Sequence, residues 1–379
     1  MPRLDFIQGA RGIAALAVLL WHASRYLGPY GSGIGGALFH PAITMGVDLF
    51  FILSGFVMVV STQGNDGSVG YARQFMIKRL TRIWPTYAVA LLATIALLPW
   101  EPCMSSVWLH VARTLLFLPV ASACDSNLAP VFGTPPLSVG WTLTYEMYFY
   151  LLFGCSLLFG RLQWLALAAW AGATLVLLPY ATAEHFTVSY ALIPEYRPPY
   201  ASYLDLIANP IVYQFLGGVL IGALYLSPVR VGSMFHARLL MLLSGALVIW
   251  QYSSHAFLWH GPLGAGVSLI PAMGGLCMAS KTISIPCPAR LVELGGVSYS
   301  LYLWHPVVQV GFDQIVSAAG RPDLAAGVSP FITTTLLSVA AAMVSQRYLE
   351  QRLSNLIRRW LVHRAEVRTL AEGPLAKRS

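Results

Sequence analysis

Long apolar runs separated by short polar and charged segments set the pattern of this chain. Windows of roughly twenty apolar residues, the length a helix needs to cross a bilayer's hydrocarbon core, recur ten times. They lie at about 10–28, 43–62, 83–100, 141–160, 162–180, 210–227, 238–254, 262–280, 296–317 and 329–347. The pattern predicts an all-α, polytopic membrane protein with about ten transmembrane helices. Residues 1–350 read as one integral-membrane domain and 351–379 as a basic tail. The apolar segment 107–120 is short and holds His110 and Arg113, so it reads as a re-entrant or interfacial piece. Residues 345–370 read as a surface helix. The first six residues carry one Arg and no persuasive small-residue cleavage site follows, so the first span is expected to stay in the mature protein.

Composition agrees with the pattern. Hydrophobic residues make up 57% of the chain and charged residues 10%, against about 25% charged in a soluble domain. The basic residues orient the bundle, because Lys and Arg concentrate in cytoplasmic loops. With ten spans and the N-terminus inside, all but five of the 23 Lys and Arg fall on the inner side; the five are Arg11, Arg25, Arg113, Arg197 and Arg321. The expected topology is therefore N-in, C-in. The net charge of +8 needs no nucleic-acid partner, since inner loops and a basic tail lying against anionic membrane lipids account for it. Cys103 and Cys124 share the expected outer segment 101–140, where they either pair or remain two free thiols. No cysteine–histidine spacing suggests a zinc site, and no metal is expected. The outer segment 181–209 is rich in Pro, Tyr and charge, which suits an interfacial aromatic belt as well as a sugar surface.

Ionisable residues inside spans are costly and mark functional sites by default. Arg11 and His22 stand eleven residues apart on the first span, which places them on one face within roughly 20° and about 16 Å apart along the axis. Asp48 lies on the second span and Glu146 on the fourth, each about five residues or roughly 8 Å from the outer boundary. His22 lies at a similar depth. Three titratable groups on three helices at one depth are what an active site within a membrane would need, and structural ion pairing gives the same pattern. Arg79 and Arg82, at i and i+3 where the second loop is expected to enter the third span, offer forked donors to phosphate oxygens. With Arg11 they form a site suited to an anionic ligand. His305, beside Pro306, lines the same cavity or bonds a neighbouring helix.

These motifs together resemble acyltransferase family 3, the membrane-bound O-acyltransferases of bacterial surface and secreted polysaccharides. Leu4-Asp5 and Ala10-Arg-Gly-Ile-Ala-Ala-Leu16 are similar to the family's opening, and Arg11 with His22 matches its Arg-x10-His motif. Arg79 and Arg82 match its Arg-x-x-Arg motif. Gly46-Val-Asp-Leu-Phe-Phe-Ile-Leu-Ser-Gly55 resembles its second-helix motif, and Trp141-Thr-Leu-Thr-Tyr-Glu146 its Trp-Ser-Leu-x-x-Glu motif with Thr142 in the Ser position. Ser298-Tyr-Ser-Leu-Tyr-Leu-Trp-His305 is similar to a late family segment. The resemblance covers about residues 4–350, and the wording at residues 8–11 and 57–60 is nearest to the exopolysaccharide acetyltransferase branch.

The resemblance implies a multi-pass protein of the bacterial inner membrane that moves an acyl group, usually acetyl from acetyl-CoA, to a sugar hydroxyl of an extracytoplasmic or lipid-linked glycan. Polysaccharide-synthesis proteins are the expected protein partners. On residue chemistry, a thioester needs a base to deprotonate the attacking hydroxyl. His22 is expected to be that base or a transient acyl acceptor. Glu146, in preference to Asp48, is expected to orient His22 or stabilise its charged form. Arg79 and Arg82 are expected to bind the CoA phosphates, with Arg11 along the route between. A glycan transporter would also carry many helices and buried charges, but more often shows an internal repeat, and none is visible here. A sensor or scaffold would use the basic tail without needing three titratable groups at one depth.

Overall fold

The computed structural model describes residues 4–30, 32–98, 107–118, 136–183 and 201–361, and every regular element among them is helical. In chain order these are α1 (Asp5–Ala23), α2 (Gly33–Ser61), α3 (Val69–Leu97), α4 (Val107–Leu115), α5 (Gly140–Leu157), α6 (Gln163–Gly172), α7 (Leu178–Ala183), α8 (Ala201–Ala208), α9 (Val212–Leu226), α10 (Met234–Ser254), α11 (Gly266–Ser280), α12 (Ala289–Ala318) and α13 (Val328–Ser345). A π-helical segment, Ala173–Leu177, joins α6 to α7, and a second, Gln346–Leu353, carries α13 onward to residue 361.

Helices occupy each of the ten apolar windows. Among the described residues, six are long and apolar enough to cross a membrane: Asp5–Leu27, Gly33–Ser61, Val69–Leu97, Gly160–Ala181, Met234–Ser254 and Val328–Leu361. The apolar helices α9 and α11 are shorter. Leu220, Leu242, Ile249, Leu336 and Val344 are all exposed large hydrophobics on the outside of the bundle. An apolar exterior of this kind is what lipid would cover.

Several helices begin earlier than the sequence expectation; α2 starts at Gly33 rather than near 43. α3 begins at Val69 rather than near 83, with Ser68 capping it by accepting a hydrogen bond from Tyr71 N at 3.0 Å. Lys78, Arg79 and Arg82 therefore stand inside a helix, not at the end of a loop. The expected domain boundary at 350 falls within the π-helical extension of α13, and the helix runs through it. Cys103, Cys124, most of the segments 101–140 and 181–209 and the tail beyond 361 lie outside the described residues.

Helices approach closely where side chains vanish. A methyl group at Gly295 of α12 would overlap the carbonyl oxygen of Gln8 on α1, and one at Gly12 would come 2.7 Å from the carbonyl oxygen of Leu291. Gly55 of α2 and Gly218 of α9 make the same kind of contact. Small residues at crossings let membrane helices pack backbone to backbone. At the opposite end of the α1–α12 pair, Arg25 donates to Asp313 at 2.5 Å and the Tyr26 hydroxyl donates to Asp313 at 2.9 Å. α1 and α12 are thus fixed together at both ends, which places His22 beside His305. Around them, α2, α3, α5 and α9 share an aromatic core in which Phe149 and Phe215 stack with centroids 4.4 Å apart.

Candidate active site

A cavity opens between α1, α2, α3, α5 and α12. Its charged lining is Arg11, Arg79, Arg82 and Glu146, and its upper wall holds Thr142 and Tyr302. Helical spacing explains the convergence. Arg79 and Arg82 are i and i+3 on α3, and Thr142, Glu146 and Tyr150 recur every four residues on α5, so each set shares a face. Glu146 accepts a hydrogen bond from the Ser54 hydroxyl at 2.7 Å and is also bonded by Tyr150. Arg79 donates to the Ser61 hydroxyl at 2.9 Å and lies over the rings of Phe75 and Tyr150, at 5.2 and 5.5 Å from their centroids. A guanidinium stacked in this way keeps its edge donors for a ligand.

Glu350, on the extension of α13, also belongs to this site. It stands 3.9 Å from Arg82 and accepts from the Ser300 hydroxyl at 3.1 Å. Sequence reasoning placed this residue at the end of the domain and gave it no role. Three guanidiniums facing two carboxylates leave a surplus of positive charge, which suits an anionic ligand.

Asp48 is elsewhere. It is fully buried and accepts from His260 Nδ1 at 2.7 Å, from Gln214 Nε2 at 2.5 Å and from the Gly261 backbone N–H at 2.9 Å. These bonds hold the connection between α10 and α11 against α2 and α9. Asp48 and Ser54 are six residues apart on α2, a rotation of about 120°, so when Ser54 faces the cavity Asp48 faces away. Asp48 was expected about five residues from the start of its span; α2 begins at Gly33, well before that, and the direction in which Asp48 points depends on helix packing. His260, which sequence reasoning left unassigned, is the partner a buried carboxylate requires. That requirement was legible in the sequence; the identity of the partner was not.

His22 and Arg11 lie on one face of α1 as the spacing demands, but His22 is not among the residues lining the cavity. Its Nδ1 lies 2.9 Å from the carbonyl oxygen of Val18 and 3.3 Å from Nε2 of His305. Glu146, the expected orienting carboxylate, is bonded instead to Ser54 and Tyr150, one helical layer toward the arginines. Tyr302 stands between the two centres. Its hydroxyl is 2.8 Å from the Thr142 hydroxyl at the wall of the cavity, and its ring packs edge-on to His305 with centroids 6.0 Å apart. The arrangement has an arginine-rich end, an aromatic partition and an imidazole pair, in that order along α1 and α12.

Comparison with known proteins follows the same lines. A family model described as an acyltransferase domain matches residues 4–346. The chain is 29% identical to the exopolysaccharide production protein ExoZ of Rhizobium meliloti strain 1021 over 354 residues, covering 88% of this chain and 95% of that protein. It is 27% identical to nodulation protein 10 of Rhizobium leguminosarum bv. viciae, covering 92% and 94% of the two chains. A putative peptidoglycan O-acetyltransferase, YrhL of Bacillus subtilis strain 168, is 26% identical across 96% of this chain and 57% of its own length. No solved structure matches.

Proposed function

The chain belongs to acyltransferase family 3 and is an O-acyltransferase, and from that premise we propose that it moves an acyl group, acetyl in the first instance, from cytoplasmic acyl-CoA to a hydroxyl of an extracytoplasmic or lipid-linked glycan. The observation that carries this reading is the alignment of the arginine-lined cavity with His22 along α1. Arg11, Arg79 and Arg82 converge on one space, and His22 stands on the same helical face about 16 Å beyond Arg11. A charged head group held by guanidiniums, with a long flexible arm reaching a base, matches that layout.

In this reading the bundle crosses the bacterial inner membrane about ten times with both termini in the cytoplasm, and the arginine end faces the cytoplasm. Arg79 and Arg82 hold phosphate oxygens of the donor through forked hydrogen bonds. Arg11 lines the route of the arm past Tyr302. At its far end His22 removes the proton of the acceptor hydroxyl as the oxygen attacks the thioester carbon. The carbon–sulfur bond then breaks, and the thiolate leaves with that proton. If His22 instead takes the acyl group first, the same nitrogen attacks and the acceptor hydroxyl resolves the acyl-imidazole. Glu146 and Glu350 set the charge and geometry of the arginines, and Asp48 holds the α10–α11 connection. The acceptor suggested by the relatives' names is a polysaccharide: one is an exopolysaccharide production protein and another a putative peptidoglycan O-acetyltransferase.

The test is release of free thiol from acetyl-CoA by purified protein in lipid nanodiscs, with and without crude host glycan. Wild-type protein is expected to release thiol in a glycan-stimulated manner, and His22→Ala protein of equal fold integrity is not. Equal rates from the two proteins would refute the assignment of His22.

A further inference from the structure

His305 is fully buried on α12, next to Pro306. Proline has no N–H, so the carbonyl four residues earlier, that of Tyr302, loses its helical donor. The imidazole of His305 lies at this break: Nδ1 is 3.1 Å from the carbonyl oxygen of Leu301, and the ring also meets the backbone of Tyr302. A carbonyl oxygen only accepts, so Nδ1 of His305 carries the proton, and in the neutral ring Nε2 is an acceptor. That acceptor faces Nδ1 of His22 at 3.3 Å. The other neighbour of His22 Nδ1 is also an acceptor, the Val18 carbonyl oxygen at 2.9 Å. Between two acceptors, Nδ1 of His22 must be the protonated nitrogen. The lone pair of His22 is then on Nε2.

We infer that His305 is a positioning residue for His22: together with the Pro306 break it fixes the His22 ring and its tautomer so that Nε2 is the nitrogen that takes a proton or an acyl group. The inference rests on the acyl-transfer reading given above, and it replaces the carboxylate expected beside His22 with a second, neutral imidazole. It serves both roles of His22. As base, Nε2 accepts the hydroxyl proton while Nδ1–H remains held by Val18 and His305. As acyl acceptor, Nε2 forms the bond to the acyl carbon, the thiolate leaves, and the cation on the ring is relieved as Nδ1–H shares its proton with His305 Nε2. Tyr302, packed against His305 and lining the cavity, transmits the position of α12 to both centres.

The experiment compares His305→Gln and His305→Asn in nanodisc-reconstituted full-length protein, using acetyl-CoA and crude glycan, with wild type and His22→Ala alongside. The Gln carbonyl reaches about as far as the imidazole Nε2 and can still accept from His22. The Asn amide reaches only as far as Nδ1 and cannot. The expected result is a kcat for His305→Asn about tenfold below that of His305→Gln, the scale of one lost buried hydrogen bond, with KM for acetyl-CoA unchanged in both. Equal kcat for the two variants, or a loss expressed in KM, would overturn the inference. The acyl-transfer reading fails separately: there, wild-type protein releases no thiol, or His22→Ala matches it. Should His305→Asn not purify as a monodisperse protein, a glycan-dependent kcat for His305→Gln as low as that of His22→Ala would overturn the inference by itself.

Discussion

Arg82 of α3, which lines the cavity, and Glu350 of the α13 extension approach to 3.9 Å, so a carboxylate from the end of the bundle faces one of the cavity's arginines. The distance is too long for a hydrogen bond, and the contact acts through charge alone. An anionic donor must compete with Glu350 for Arg82. Glu350→Gln keeps an acceptor for Ser300 and removes the competitor, so KM for acetyl-CoA is expected to fall, by no more than about fivefold for an ion pair this long. Steady-state titration of acetyl-CoA checks it, and a rise in KM would contradict it.

Arg79 is stacked on Phe75 and Tyr150 and bonded to Ser61. Removing it in Arg79→Ala is expected to raise the Kd for CoA about tenfold or more, the value of a charge-assisted hydrogen bond. Arg79→Lys restores the charge without the planar fork and is expected to recover only part of the loss. Calorimetric titration of CoA into the purified variants measures both. Full recovery by Lys would show that charge, rather than the fork, binds the ligand.

Asp48 carries three hydrogen bonds that tie the α10–α11 connection to α2 and α9. Asp48→Asn places an amide among donors and is expected to cost about 3 kcal/mol of stability, seen as a lower thermal midpoint in detergent. Protein that remains folded is expected to keep its KM for acetyl-CoA and most of its kcat. A kcat as low as that of His22→Ala, at normal stability, would return Asp48 to the chemistry.

These residues show where sequence reasoning reached and where it stopped. The rotation between Arg11 and His22 follows from their spacing on one helix, and the structure keeps them on one face. Apolar windows located the helices, yet the start of α3 at Val69 was hidden because its first turns carry Arg73, Lys78, Arg79 and Arg82, which register as loop on any hydropathy measure. Asp48 and Glu146, expected at one depth, do not share a site: α2 begins at Gly33, well before its apolar window, and the facing of separate helices depends on how they pack. Glu350 sits in a charged stretch that resembled a tail. His305 was visible beside Pro306, but its partner lies 283 residues away, a pairing only the α1–α12 crossing reveals.

That crossing can be tested directly. A methyl at Gly295 would strike the Gln8 carbonyl, so Gly295→Ala is expected to push α1 from α12, costing about 1–3 kcal/mol through overpacking and separating His22 from His305. Thermal midpoint and kcat are expected to fall together. Gly296→Ala, one position on, meets open space and is expected to leave both unchanged. Equal behaviour of the two variants would mean that the close approach does not set the geometry of the imidazole pair.

The central claim is transfer of an acyl group to glycan through His22. Its most direct measurement is the incorporation of label from [14C]acetyl-CoA into crude surface glycan by protein in nanodiscs, wild type against His22→Ala. Alkali-labile label on the glycan from wild-type protein, and none above background from His22→Ala, is the expected result. Equal labelling by both proteins, or CoA release with no label on glycan, would contradict the account.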